Sequence, residues 1–222
     1  MRTKQRYSSV EEAVEAIADG RIVIVVDAED RENEGDFVAA AEKIAPQVIH
    51  FMITHGRGQL CMPLLPPTAR RLDLTPMVPQ KTLALPRFTI PVDHRRCRTG
   101  ISPEERALTI RAIVDPNTGP EDFVRPGHVF PLIAQTRGVL RRVGHTEAAV
   151  DLARLAGLTP AGVLCEICSR DGLHMASGPE LQELASQFGM PIITIGHLVA
   201  FRRRSLPTAE KALVTLRRAV AV

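Results

Sequence analysis

Five consecutive β-branched apolar residues, Ile22-Val23-Ile24-Val25-Val26, run directly into Asp27-Ala28-Glu29-Asp30-Arg31-Glu32-Asn33-Glu34-Gly35-Asp36. The first stretch reads as a buried strand. The second places six carboxylates against one Arg, a local charge of −5, at the mouth of the sheet that strand joins. Carboxylates crowded in this way destabilise a fold unless a cation neutralises them, and a hard divalent ion such as Mg²⁺ does so with oxygen ligands. On the residues alone, a solvated acidic loop is the alternative. The ligand spacing is not that of an EF-hand.

The rest of the chain alternates strand and helix patterns irregularly, which predicts an α+β (mixed α/β) fold: a mixed sheet with surrounding helices. Ser9 with Glu12 has capping-box spacing and opens a helix over 10–19, closed by Gly20. Residues 37–41 read as a return strand or short buried segment, 46–55 as a helix stopped by Gly56, and 59–64 as a strand containing Cys61. The Pro- and Leu-rich residues 66–87 have no clear period. A strand is expected over 88–92, ending at Asp93, then a basic loop over 94–100 and a helix from Ser102 to about residue 114. Residues 115–127 read as loop, and 128–134 and 139–142 as strands. Helical spacing returns over 146–156, a strand over 162–167, a helix capped by Ser177 with Glu180, a strand over 191–195 and a short final helix.

At 222 residues, 45% hydrophobic and 24% charged, the chain reads as one domain over 1–201 with a basic tail, expected to be helical, over 202–222. The tail carries +5 and the acidic run −5 of a net +3, so the basic excess is largely a tail and not a nucleic-acid-binding face. Aromatic residues make up only 4%, with no Trp, against a stacking platform for single strands. The opening MRTKQRYS lacks the apolar core of a secretory signal, and no apolar run nears the roughly 18 residues that span a bilayer. Four cysteines without framework density predict reduced thiols and a cytoplasmic protein. Cys165 and Cys168 have CxxC spacing but no second pair for a structural zinc, and read as reduced core cysteines.

Three further segments carry chemistry. Arg142-Val143-Gly144-His145-Thr146-Glu147 opens a helix, whose N-terminal N–H groups and positive dipole end hold phosphates. Arg142 and the Thr146 hydroxyl add donors, and His145 can complete a metal shell shared with the acidic loop; a purely structural His is the alternative. Arg125-Pro126-Gly127-His128 presents a His just before a strand, suited to acid–base work near neutral pH or to capping that strand. Glu166, inside the apolar stretch Gly162-Val163-Leu164-Cys165-Glu166-Ile167, is either edge-facing or buried, and unpaired Glu is rarely buried without a task.

Taken together, EDRENEGD at 29–36, TGIS at 99–102, RPGHVFPL at 125–132, GHTEA at 144–148 and DLARLAGLTPAGVLCEI at 151–167 resemble, in order and spacing, the 3,4-dihydroxy-2-butanone-4-phosphate synthase family of riboflavin biosynthesis. The resemblance covers residues 8 to 201. It implies conversion of D-ribulose 5-phosphate to L-3,4-dihydroxy-2-butanone 4-phosphate and formate, with Mg²⁺ or Mn²⁺, in a homodimer whose active sites lie at the subunit interface. By position in those motifs it implies Glu32 and His145 as metal ligands. Arg31, Glu32, Asp36 and the segment Arg142, Val143, Gly144, His145 and Thr146 fall at substrate-binding positions, joined by Cys61, Thr99 and Glu166. His128 and Glu166 fall at catalytic positions, with Asp27 and Glu34 beside them.

Ala28, Arg98 and Arg137 depart from the residues usual in that family without removing a matched metal or catalytic residue. The fused GTP cyclohydrolase II domain of some relatives, with its cysteine-rich zinc motif, is not expected in these 222 residues. The alternatives within reach of the same residues are another metal-dependent sugar-phosphate lyase or isomerase and, from the tail, a nucleic-acid-binding module.

Overall fold

Ser9 starts the first helix as its spacing predicts: its Oγ accepts the Glu12 N–H at 3.1 Å, and the Glu12 carboxylate accepts the Ser9 N–H at 2.7 Å. The structure, a computed structural model, describes residues 7–28, 31, 33–79, 82 and 85–205. In chain order the elements are α1 (Val10–Ala18), β1 (Val23–Val26), β2 (Gly35–Ala40), α2 (Pro46–His55), β3 (Arg57–Leu64), α3 (Pro66–Arg71), β4 (Val92–His94), α4 (Pro103–Val114), β5 (Phe123–Ile133), α5 (His145–Leu155), β6 (Gly162–Ile167), α6 (Gly178–Phe188), β7 (Ile192–Thr194) and α7 (Ile195–Arg204).

The strands form one seven-stranded sheet in the order β4-β5-β3-β6-β2-β1-β7. It is mixed: β1 pairs parallel with β7 and β3 with β5, and the other neighbours are antiparallel. Because side chains alternate across a strand, the unbroken apolar run of β1 needs cover on both faces. It has it. Ile22, Ile24 and Val26 pack with residues of α2, α3, α4 and α6, whereas Val23 and Val25 pack with those of α1, α5 and α7. The expected mixed α/β class is the observed one. Among the described residues no helix is long and apolar enough to cross a membrane.

Several expected elements differ. The strand expected over 88–92 lies at Val92–His94, with only isolated bridges at Phe88 and Thr89. In place of the strand expected over 139–142 there is a 3-10 turn, Gly138–Leu140, where Asp151 accepts the Val139 N–H at 3.0 Å. Ser177 is the N-cap of α6 but makes no side-chain cap bond: the Glu180 N–H bonds the Ser177 carbonyl at 3.1 Å instead, and the Glu180 carboxylate accepts the Ser169 hydroxyl at 3.1 Å. The loop expected up to Gly127 ends early: β5 begins at Phe123, and His128 lies within it. Cys165 is buried, but Cys168 lies just past the end of β6 and is only partly buried, so it is not a core cysteine.

The expected boundary at residue 201 falls inside α7, where the Arg202 guanidinium lies 3.4 Å from the fully buried Asp151. Residues 206–222 of the expected tail lie outside the described residues.

Candidate active site

The β2–β6 pairing sets Asp36 directly opposite Glu166, and the β1–β2 pairing sets Val25 opposite Asp36. Asp36 and Glu166 continue the rows of Val38 and Leu164, so both occupy the face covered by α1, α5 and α7, at its open end. Cys61 shares that face, one step along β3, opposite Leu164.

The helix α5 begins over this end of the sheet. Its first residue, His145, is buried, and Nε2 lies 3.1 Å from the Val25 carbonyl oxygen. A carbonyl only accepts, so Nε2 carries the proton, and in the neutral ring Nδ1 is the lone-pair nitrogen. Nδ1 faces Asp36 Oδ2 at 3.9 Å, beyond hydrogen-bond reach. The N-cap is Gly144, which has no side chain with which to cap the first-turn N–H groups of α5 itself. Thr146 follows, also buried.

The acidic loop is closed by its own first residue. Asp27 Oδ1 accepts the Glu34 N–H at 2.9 Å, Asp27 Oδ2 accepts Arg31 at 2.6 Å, and the Asp27 N–H meets the Glu34 carbonyl at 3.2 Å. The Asp27 side chain is fully buried, Glu34 is half-buried and Arg31 is at the surface. Glu32, expected as a metal ligand and substrate contact, lies outside the described residues, as do Glu29 and Asp30. Among the described residues no group of three or more His, Cys, Asp and Glu converges as a metal site.

Glu166 is half-buried, neither at a sheet edge nor sealed in the core, because β6 is central while Glu166 lies near its end. Its Oε2 accepts the Gln59 N–H at 2.8 Å. Gly58 allows this: a Cβ there would stand 2.6 Å from that same oxygen. Beside these carboxylates, burial pushes the Cys61 thiol far up, with the charges of Glu166 and Asp36 adding to the shift, so Cys61 stays protonated.

Arg142 does not stand alone before α5. Its guanidinium bonds Glu147 Oε2 at 2.7 Å, and Glu147 Oε1 takes the Gln135 N–H at 3.0 Å. Glu147, quoted with its motif but given no role from sequence, is thus the clamp of this segment. Gly144 lets the clamp close, since a Cβ there would press on the Arg142 guanidinium. Val143 is exposed.

His128 and Thr99 belong to a second group, on the β4–β5 edge of the sheet. The strand β3 stands between β5 and β6, which puts the two backbones roughly 10 Å apart. Thr99 is exposed, and its hydroxyl donates to Glu105 at 3.1 Å. His128 meets Asp93, whose carboxylate the sequence reading left without a role.

The chain as a whole is similar to known proteins. The family model described as 3,4-dihydroxy-2-butanone 4-phosphate synthase matches residues 11–201. The riboflavin biosynthesis protein RibBA of Bacillus mycoides (strain KBAB4) is 54% identical over 198 residues, 89% of this chain and 50% of that protein. The chain spans about half the length of the curated relatives it matches. Among solved structures, RibBX, a two-domain 3,4-dihydroxy-2-butanone 4-phosphate synthase from A. baumannii, has a TM-score of 0.87 at 47% identity, covering 90% of this chain and 60% of that one. A 3,4-dihydroxy-2-butanone 4-phosphate synthase in complex with two magnesium ions has a TM-score of 0.85 at 36% identity, covering 90% of this chain and 98% of its own. Sequence and fold agree, and this chain belongs to the 3,4-dihydroxy-2-butanone 4-phosphate synthase family.

Proposed function

We propose that the chain converts D-ribulose 5-phosphate to L-3,4-dihydroxy-2-butanone 4-phosphate and formate, a reaction balanced without added water or redox partner. The observation that carries this reading is the placement of Asp36, directly opposite Glu166 on β6 and 3.9 Å from His145, the first residue of α5. Anionic oxygens and a lone-pair imidazole nitrogen 3.9 Å from a carboxylate oxygen form a donor set suited to Mg²⁺ or Mn²⁺. The Val25 carbonyl orients His145 as outer partners of metal-bound histidines do. Its ligands would be His145 and Glu32, with Asp36 adjoining. When bound, such an ion supplies Lewis-acid polarisation of the substrate ketone.

The protein's own groups divide the remaining work. The N-terminus of α5 and Arg142, held by Glu147, receive the phosphate, with Val143, Gly144 and Thr146 lining its approach. Glu166, anchored through one oxygen by the Gln59 N–H, keeps its other oxygen for proton removal beside the ketone. His128 serves a further proton transfer. Asp27 and Glu34 shape the acidic loop that carries Arg31 and Glu32 to the substrate. Thr99 and Cys61 border it, Cys61 as a neutral thiol.

The same reading places the active sites at the interface of a cytoplasmic homodimer. Two features support the interface: the distance between the His128 group and the Glu166 group within one chain, and the exposed apolar residues Met77, Val78, Leu85, Ile90 and Val124. The test is formate release from ribulose 5-phosphate with Mg²⁺ and with excess chelator. Formate that appears only with the ion supports the reading; isomerised sugar without formate would assign an isomerase, and full turnover in chelator would remove the metal.

A further inference from the structure

The β4–β5 pairing contains an irregularity that serves one side chain. Val92 lies opposite Val129, but Asp93 lies opposite Val124, so residues 125–128 are extra on β5 and bulge from the ladder. Bulges of this kind re-aim a side chain, and here the last bulged residue is His128. Its N–H reaches Asp93 Oδ1 at 2.9 Å, and its Nδ1 lies 2.7 Å from Oδ2, so one carboxylate holds both the backbone and the ring. The Asp93 side chain is only 9% exposed, whereas that of His128 is 42% exposed.

The surroundings leave Asp93 little freedom. A Cβ on Gly127 would collide with the Val92–Asp93 peptide, and a Cβ on Gly100 would collide with the Asp93 carboxylate. The loop carrying Gly100 is gathered by Glu105, whose carboxylate accepts N–H groups of Arg98 and Gly100 and the hydroxyls of Thr99 and Ser102. The buried guanidinium of Arg106, on α4, is within electrostatic reach of Asp93.

We propose that Asp93 is a positioning residue that locks His128 in the tautomer protonated on Nδ1, so that Nε2, turned away from Asp93, is the nitrogen that takes a proton. A carboxylate accepts only, so the Nδ1 contact fixes the proton's place. The proposal rests on the acid–base role given to His128 above and adds the residue that sets its direction.

The experiment reads the imidazole directly. Long-range ¹H–¹⁵N correlation on ¹⁵N-labelled full chain, with His128→Gln to assign the signal, is expected to show neutral His128 protonated on Nδ1. In Asp93→Asn the amide NH₂ faces Nδ1, and the proton should move to Nε2. For that variant kcat should fall by roughly 10² or more while KM for ribulose 5-phosphate changes less than about threefold, as expected for an inverted base that does not alter binding. A parent ring protonated on Nε2, or an Asn variant with the parent's tautomer, would overturn the proposal, and so would unchanged kcat. The parent measurement decides even if the Asn variant does not fold. It is also independent of the reaction, so absence of formate in the parent would refute the assigned function and leave the tautomer result standing.

Discussion

Glu147 offers a stringent test of how the segment before α5 is held. It is 1% exposed and accepts two donors: Arg142 at 2.7 Å, with the Arg142 side chain itself only 12% exposed, and the Gln135 N–H at 3.0 Å. Glu147→Gln keeps the volume, but its NH₂ must face one of those donors, and the guanidinium loses its carboxylate. Removing one partner of a buried ion pair costs about 3–5 kcal/mol; with one acceptor contact retained, we expect about 2–3 kcal/mol. For a chain of this size each kcal/mol moves the thermal midpoint by roughly 2–4 °C, so calorimetry should record a fall of roughly 4–12 °C. Arg142→Ala made alone and together with Glu147→Gln completes a double-mutant cycle, and the pair should couple by at least about 1 kcal/mol. A midpoint within 1 °C of the parent, or strict additivity in the cycle, would refute the clamp.

Glu166→Gln should leave the midpoint within about 2 °C, since Glu166 is half-buried and the amide oxygen can still accept the Gln59 N–H, while formate release falls by roughly 10² or more; full release would remove its catalytic role. The hydroxyl and the N–H of Thr159 hold the Glu42 carboxyl below its usual range. A depressed carboxylate stabilises the fold above its unfolded pKa and loses that contribution as pH falls through the folded one. Glu42→Gln should therefore lower the midpoint by roughly 1–3 °C at pH 7, a surface-sized effect, with the gap closing under acid; a gap that widens on acidification contradicts the assignment. Iodoacetamide applied to the native chain at pH 8, followed by peptide mass spectrometry, should modify half-exposed Cys168 well before Cys61, whose burial keeps it protonated. Equal labelling of the two would show that Cys61 is open to solvent.

Local chemistry carried much of the fold and some of the site. The α1 cap, the limits of α2 and β6, and the helix opening at His145 follow from short-range rules: a Ser-x-x-Glu box, Gly stops and β-branched runs act within a few residues. The acidic run, His128, His145 and Glu166 were legible because charged or titratable groups beside apolar strands require a reason. What the sequence could not supply was pairing. Val139 and Leu140 are as apolar as a strand demands, yet the buried Asp151 bends them into a 3-10 turn. Ser177 and Glu180 have the spacing of a capping box, yet Ser169 takes the Glu180 carboxylate.

The site follows the same division. Sequence alone determined which side chains carry charge, which segments are buried and which family the motifs resemble. Only the tertiary structure decided that Asp36 faces Glu166, that Asp93 holds His128 across a four-residue bulge, and that Glu147 grips Arg142. Register and bulges set these contacts. Both depend on strands far apart in sequence finding one alignment that buries both sheet faces at once, a condition no local pattern contains.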